Sequence, residues 1–389
     1  MKKEIIILGS TGSIGTTTLN LLSKEKNFKV KLLTTNTNAK KLLIQSKKHK
    51  VRDVIIYDKK TFSQYQKIFK KKKIRIYPGN YSFKKILKKK VNFCVNSISG
   101  IEGFEPTLKS IPFTKNILIA NKESIICGWS IINKYLRKYK TTFMPIDSEH
   151  FSISKLLNGE KSQNIEKVVL TASGGPFLNK PFKSLTNIKP SLALKHPKWK
   201  MGKKISIDSS TMMNKIFEFI EAKKLFNLKN KDLEILIHPK SFVHAIIFFK
   251  NKLIKILAHD TSMDIPILNA LNIENKFEKK LLKKNLKSLN QLKFQKPSLQ
   301  NFPLLTLLNI IPEKDSYFET ILITINDTLV NMYLEKKINY KSLQLNLINL
   351  IKKPYLTKFY KLKPLNIYDI KLMINITKFY IKKKIKYYA

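Results

Sequence analysis

Short apolar runs and longer mixed segments alternate along the first 150 residues. The runs Glu4–Leu8, Val30–Thr34, Asp53–Tyr57, Phe93–Ser97, Ile117–Ala120 and Thr142–Ile146 have the length of strands. Between them lie Lys-rich segments with helical spacing, such as Leu19–Lys24 and Phe83–Lys89. This alternation predicts an α/β domain built on a doubly wound parallel sheet. From Val168 the pattern changes. Val168–Leu170, Glu234–Ile237 and Val243–Phe249 predict a second sheet in an α+β domain, with a helix over Met212–Leu225. Residues 275–312 are rich in Lys and Asn and punctuated by Pro297, Pro303 and Pro312, which reads as a connector. Phe318–Leu334, Tyr340–Ile351 and Ile367–Lys384 are helical in period, with breaks at Pro354 and Pro364, and predict a C-terminal α-helical bundle. The expected domains are therefore 1–150, 151–274 and 313–389, joined by the linker 275–312.

Composition bounds this picture. A chain of 389 residues has room for two or three domains, and 43% apolar residues exclude wholesale disorder. The formal net charge of +49 would attract any polyanion. Yet only Arg52, Arg75 and Arg137 of the 75 basic residues are Arg, the side chain suited to reading bases and phosphates, and the Lys is spread over the whole length. That argues for compositional drift and against a specific nucleic-acid partner. Cys94 and Cys127 sit in apolar surroundings as expected core thiols, with no disulfide framework and no zinc spacing. The N-terminal apolar run is too short for a secretory signal, and no stretch approaches the roughly 18 apolar residues of a membrane helix. The expectation is a cytoplasmic protein without membrane association.

Chemistry enters at the first strand. Ile5–Leu8 runs into Gly9-Ser10-Thr11-Gly12-Ser13-Ile14-Gly15, followed by a helical pattern. Strand, glycine turn and helix in that order let backbone amides cradle a pyrophosphate at a helix N-terminus, as in a Rossmann-like dinucleotide site. The second strand ends in Thr34-Thr35-Asn36-Thr37-Asn38-Ala39-Lys40-Lys41, without the acid that binds an NAD ribose. NADPH is the expected cofactor.

The strand Thr142–Ile146 ends in Asp147-Ser148-Glu149-His150. In an extended stretch Asp147 and Glu149 share a face, so they can converge on a hard cation, Mg2+ or Mn2+; the same Asp-x-Glu serves equally as a helix cap or surface turn. Glu218 and Glu221 form a second acidic pair in the helix after Met212. Ser173-Gly174-Gly175 suits an anion or a hinge. Trp199, in the His196–Lys204 segment, is a loop anchor or a lid. The hydroxyls of Asp208-Ser209-Ser210-Thr211 read as an ordinary helix N-cap or as a phosphate seat with Lys215 as counter-charge.

GSTGSIG at 9–15, ANKES at 120–124, PIDSEH at 145–150, ASGGPF at 172–177, HPKWKMGKKISIDSSTMMNK at 196–215 and LIHPKSFVH at 236–244 occur together in this order. In these motifs the chain resembles the deoxyxylulose 5-phosphate reductoisomerases, closely to about residue 270 and loosely beyond. The resemblance implies an NADPH-dependent rearrangement and reduction of a phosphorylated sugar in isoprenoid synthesis, by a homodimer with a mobile flap over 173–203. It implies catalytic roles for Lys122, Asp147, Glu149 and Glu218, with Asp147, Glu149 and Glu218 as metal ligands. Ser148, Ser173, His196, Trp199, Ser209, Asn214, Lys215 and His244, together with Lys122, Glu149 and Glu218, would bind substrate. Thr11, Gly12, Ser13, Ile14, Asn38, Asn121, Glu123 and Gly202 would bind the cofactor, while Met201 closes over the substrate with the flap, Met263 lines the site with His244, and His49, His238 and His259 have no assigned role. Two departures stand out. Asn36-Thr37-Asn38 lacks a Lys common in the family, for which Lys40 or Lys41 would substitute, and Ile325-Asn326-Asp327 replaces an Asn-Ala-Ala-Asn-Glu type segment. A semialdehyde dehydrogenase would share the glycine loop, but it needs a nucleophilic Cys and no metal.

Overall fold

The computed structural model describes residues 2–199, 201–273 and 288–385. By backbone contacts the chain divides into two compact units. One comprises Met1–Ser124, Ser130–Asp147 and Met263–Asn275; the other comprises Ile125–Trp129, Ser148–Ser262 and Lys276–Ala389.

The first unit is built on seven strands: β1 Lys3–Leu8, β2 Phe28–Thr35, β3 Asp53–Ile56, β4 Arg75–Pro78, β5 Val91–Asn96, β6 Thr114–Ile119 and β7 Thr142–Pro145. They lie in the order β4-β3-β2-β1-β5-β6-β7, and each neighbouring pair is parallel. Ile5, Ile6, Ile7 and Leu8 are all fully buried, as a parallel strand covered on both faces requires. The order reverses at β1, so the crevice at the carboxyl ends of β1 and β5 is the place where this topology puts a ligand. The edge strand β4 has no apolar run to announce it. It pairs with β3, and Arg75 clamps Asp53 through two bonds of 2.7 Å.

The second unit has a four-stranded sheet of β8 Ile165–Ala172, β9 Leu233–Ile237, β10 Val243–Phe249 and β11 Ile254–Ala258, in the order β11-β10-β8-β9. Strands β8 and β9 are parallel, and β10 is antiparallel to both β8 and β11. The helix Ser148–Leu156 packs on β10 and β11, while Met213–Phe226 packs on β8 and β9 and also against Ser148–Leu156. The helices Tyr340–Ile351 and Ile367–Lys384 both pack on Phe318–Leu334, close to their expected bounds.

The division departs from the expected domains in three respects. The first boundary falls between Asp147 and Ser148 and not at residue 150. The helix Asp264–Leu271 rejoins the first unit because Ile267, Ala270 and Leu271 are buried in the core of its sheet. The C-terminal helices belong to the same unit as the second sheet. Of the expected linker, residues 275–287 lie outside the described residues. The rest is structured, with Gln295 bridged to Ile237 and Leu304, Leu305 and Leu307 buried in a 3-10 helix over Pro303–Ile310.

Candidate active site

The glycine loop leaves β1 with Gly9 at φ +76°, and a Cβ there would meet the backbone of Ser97 and Ile98 at 2.9 Å. A Cβ on Gly15 would come within 2.6 Å of the Gly9 carbonyl oxygen, so only glycine lets the helix Ser13–Leu22 begin this close to the strand. That helix has Gly12 as its N-cap, no side-chain cap and no acid in its first turn. Its first amides therefore face the crevice as donors for an anion. The Thr11 and Thr35 hydroxyls share a 2.7 Å bond, and Asn38 caps the helix Ala39–Lys48 by accepting from the Lys41 amide at 3.1 Å. The Asn121 side chain is taken up by the fold: its oxygen accepts from Ser124, and its amide nitrogen donates to the carbonyls of Ile98 and Gly100 and to Glu123. Gly202 is different, since a Cβ there would meet nothing.

The carboxylates sit at the start of two helices. The expected extended geometry for Asp147 and Glu149 does not hold, because the helix starts at Ser148 and Glu149 lies in its first turn. Lys122, buried at the start of the helix Lys122–Tyr139, donates to Asp147. In the second unit Lys215 donates to Glu149 at 2.8 Å and to Glu218. Asn214 donates to the other Glu218 oxygen at 2.5 Å, and Ser148 donates to Glu149 at 2.5 Å. One ligand oxygen from each of Asp147, Glu149 and Glu218 lies within 4.8 Å of the other two. Three carboxylates with no sulfur or imidazole form a donor set for a hard divalent cation. Burial lowers the Lys215 pKa, but Glu149 and Glu218 outweigh it and raise the pKa above the ordinary value. Glu221 turns elsewhere, to within 3.4 Å of the buried His150 ring, whose other nitrogen bonds the Glu218 carbonyl at 3.0 Å.

A second cluster of polar side chains in the second unit centres on His196 and Ser173. The Lys198 and Trp199 amides both donate to His196 Nδ1, at 3.1 and 2.8 Å, so the proton of the neutral ring is on Nε2 and is donated to Ser173 Oγ at 3.2 Å. Gly175 N donates to the same oxygen at 3.1 Å, which leaves the Ser173 hydroxyl hydrogen to point outward. Burial lowers the His196 pKa to about 4 and keeps it in this neutral form. In the Gly174-Gly175 turn, with φ of +82° and +67°, a Cβ on Gly175 would meet the Ser209 carbonyl oxygen at 2.9 Å, so the turn packs on the Ser209–Ser210 backbone. Ser209 lies in the last turn of the helix Lys203–Ser210, and the next helix opens at Met213 after Met212 at φ +64° with no side-chain cap. The N-cap reading of these hydroxyls is thereby overturned. Trp199 meets His244 edge to face at 6.2 Å.

Residues 5–128 match the family model described as 1-deoxy-D-xylulose 5-phosphate reductoisomerase, residues 143–226 match its C-terminal domain, and residues 259–371 match a DXP reductoisomerase C-terminal domain. A curated relative, 1-deoxy-D-xylulose 5-phosphate reductoisomerase of Pelagibacter ubique, is 50% identical over 373 residues, covering 95% of this chain and 96% of that one. This chain belongs to the 1-deoxy-D-xylulose 5-phosphate reductoisomerase family. The enzyme from Zymomonas mobilis, solved in complex with NADPH, superposes with a TM-score of 0.87 at 26% identity, over 98% of this chain and 99% of that chain. A DOX-P reductoisomerase solved with NADPH, fosmidomycin and magnesium gives 0.86 at 29% identity, over 99% of this chain and all of that one.

Against the reductoisomerase expectations, one histidine stands out. His259, given no role from sequence, stacks on His244 with ring centroids 3.8 Å apart, and its carbonyl accepts from His244 Nε2 at 3.2 Å. No local motif marks it; an antiparallel strand pair brings the two together. The divergent Asn326-Asp327 segment also has work in the fold. Asn326 donates to Asp208 at 2.8 Å, and Lys204 reaches Asp208 and Asp327 at 3.2 and 3.0 Å, which locks the helix Lys203–Ser210 to Phe318–Leu334. Met263 packs against the core of the first unit.

Proposed function

We propose that this chain converts 1-deoxy-D-xylulose 5-phosphate to 2-C-methyl-D-erythritol 4-phosphate, using NADPH and Mg2+ or Mn2+, in isoprenoid precursor synthesis. The observation that carries this reading is the convergence of the Asp147, Glu149 and Glu218 carboxylates, the last two bonded to Lys215, in a chain whose first strand ends in a dinucleotide loop.

In this reading the three carboxylates hold the cation, which supplies Lewis acidity toward the substrate ketone and an adjacent hydroxyl, while NADPH supplies hydride. The chain's own side chains do the rest. Lys122 and Lys215 balance the carboxylates and, with Ser148 and Asn214, present donors to substrate oxygens. His196 turns the Ser173 hydroxyl outward, and Ser173, Ser209, Asn214 and Lys215 seat the phosphate. The segment 173–203 acts as the flap, with Trp199 anchored on His244 to shield the site from water. Thr11, Gly12, Ser13, Ile14, Asn38, Asn121, Glu123 and Gly202 remain the cofactor set, Asn121 through its backbone.

A homodimer is supported by the edge strand β11, which exposes Ile254 and Ile256, with Leu253 beside them, as a seam for a second copy. Sedimentation at micromolar concentration tests it. Cytoplasmic residence is supported by two buried free thiols, and no helix among the described residues is long and apolar enough to cross a membrane. The decisive assay follows NADPH absorbance with deoxyxylulose 5-phosphate, with and without Mg2+ or Mn2+. Oxidation that needs substrate and cation together is expected; cation-independent turnover would overturn the metal role.

A further inference from the structure

We propose that Lys41 selects NADPH over NADH by binding the phosphate on the adenosine 2′ position. The proposal rests on the dinucleotide reading of the glycine loop. Lys41 is the third residue of the helix Ala39–Lys48, just beyond the end of β2. Its Nζ donates to the Thr11 carbonyl at 2.9 Å, which places the ammonium at the mouth between β2 and the loop, where this topology puts the adenosine ribose.

The placement is built into the fold. Gln45, four residues on and on the same helical face, is buried and exchanges two bonds with Ser10, both 2.9 Å. The helix is thereby fastened to the loop at two consecutive turns, through Thr11 and through Ser10. An ammonium has three donors, the Thr11 carbonyl takes one, and two remain for phosphate oxygens. The stretch Thr34–Lys41 carries no carboxylate to repel a phosphate or to bond a free ribose hydroxyl. Asp58, whose amide donates to the Asn36 carbonyl at 3.3 Å, has its carboxylate engaged at 2.7 Å as the cap of the helix Lys59–Lys71. The loop Asn36-Thr37-Asn38 is exposed, so a phosphate can approach. Lys40 is exposed as well, but it lies about 100° round the helix.

The test is nucleotide binding by the full-length protein, read from NADPH and NADH fluorescence and from displacement by 2′,5′-ADP, in the wild type and in Lys41→Met, Lys41→Arg and Lys40→Met. Lys41→Met should weaken NADPH and 2′,5′-ADP about tenfold to a hundredfold and leave NADH within about twofold. Lys41→Arg should keep most of the preference, and Lys40→Met should change little. Equal losses for NADPH and NADH in Lys41→Met would reduce Lys41 to a structural tie on Thr11, and an unchanged NADPH affinity, or the loss appearing in Lys40→Met, would overturn the proposal outright. A wild type that binds neither nucleotide would instead sink the dinucleotide reading itself.

Discussion

The glycine loop at 9–15 offers a ligand backbone amides, whereas the site around Glu149 and Glu218 offers charged side chains. The loop lies within seven consecutive residues, and what it requires of them is mainly the absence of side chains at Gly9 and Gly15. The site around Glu149 and Glu218 draws on the helices that begin at Ser148 and Met213, and it holds together through the charge of Lys215. The difference teaches where each is vulnerable. A backbone site fails by steric intrusion and by degrees. A buried ionic site fails abruptly, because removing one charge leaves its partners uncompensated.

The sharpest break of this comparison is Asp147→Asn. It should lower turnover on the order of a thousandfold or more while leaving NADPH affinity within about twofold, since the loop is untouched. Steady-state rates and nucleotide fluorescence measured on the same preparation check it, and an equal loss in both would join the two sites into one. Next comes Lys215→Met, which leaves Glu149 and Glu218 facing each other without their ammonium. A loss of about 3 kcal/mol in stability is expected in chelator, partly recovered by millimolar Mg2+ because the cation binds the native state. Thermal unfolding with and without Mg2+ decides this, and a midpoint equal to the wild type in chelator contradicts it.

On the loop side, Gly15→Ala forces a methyl to within 2.6 Å of the Gly9 carbonyl oxygen. It should cost about 1–3 kcal/mol in packing and raise the KM for NADPH roughly tenfold, with the Mg2+ dependence unchanged. An altered Mg2+ dependence would argue against separate sites. The smallest effect is on pH. Burial, and for His244 also the neighbouring His259, hold the pKa of His196 and His244 at about 4 against an ordinary 6.5. Such a histidine binds fewer protons folded than unfolded, so its stabilising share is whole above pH 6.5 and drains away as pH falls toward 4. The thermal midpoint should fall across that interval, and less steeply in His244→Gln; parallel curves for the two proteins would show that His244 carries none of the effect.

Sequence reading reached these regions unequally. The glycine loop was legible because strand, turn and helix are consecutive and each has a local signature. The acids at 147 and 149 were legible as candidates, but a helix and not an extended strand places Glu149. The strands β4 and β11 were missed, β4 for want of an apolar signal and β11 although Ile254, Ile256 and Leu257 carry one. Arg75–Pro78 is short and bears Arg, Tyr and Pro, and Ile254–Ala258 lies at a sheet edge, where no second neighbour demands buried side chains. His259 stayed silent because its role depends on a ring fifteen residues away in sequence and 3.8 Å away in space.

The sequence by itself determined the doubly wound sheet, the phosphate-cradling loop, the family and the residue types available for chemistry. Each depends on period, on glycine conformation or on consecutive residues, all local properties of the chain. The tertiary structure decided which charges compensate one another. It set Lys215 between Glu149 and Glu218, turned Glu221 to His150, fastened Lys41 to the glycine loop and returned the helix Asp264–Leu271 to the first sheet. Pairings of this kind depend on distances between segments tens of residues apart, and those distances exist only once the apolar faces have packed.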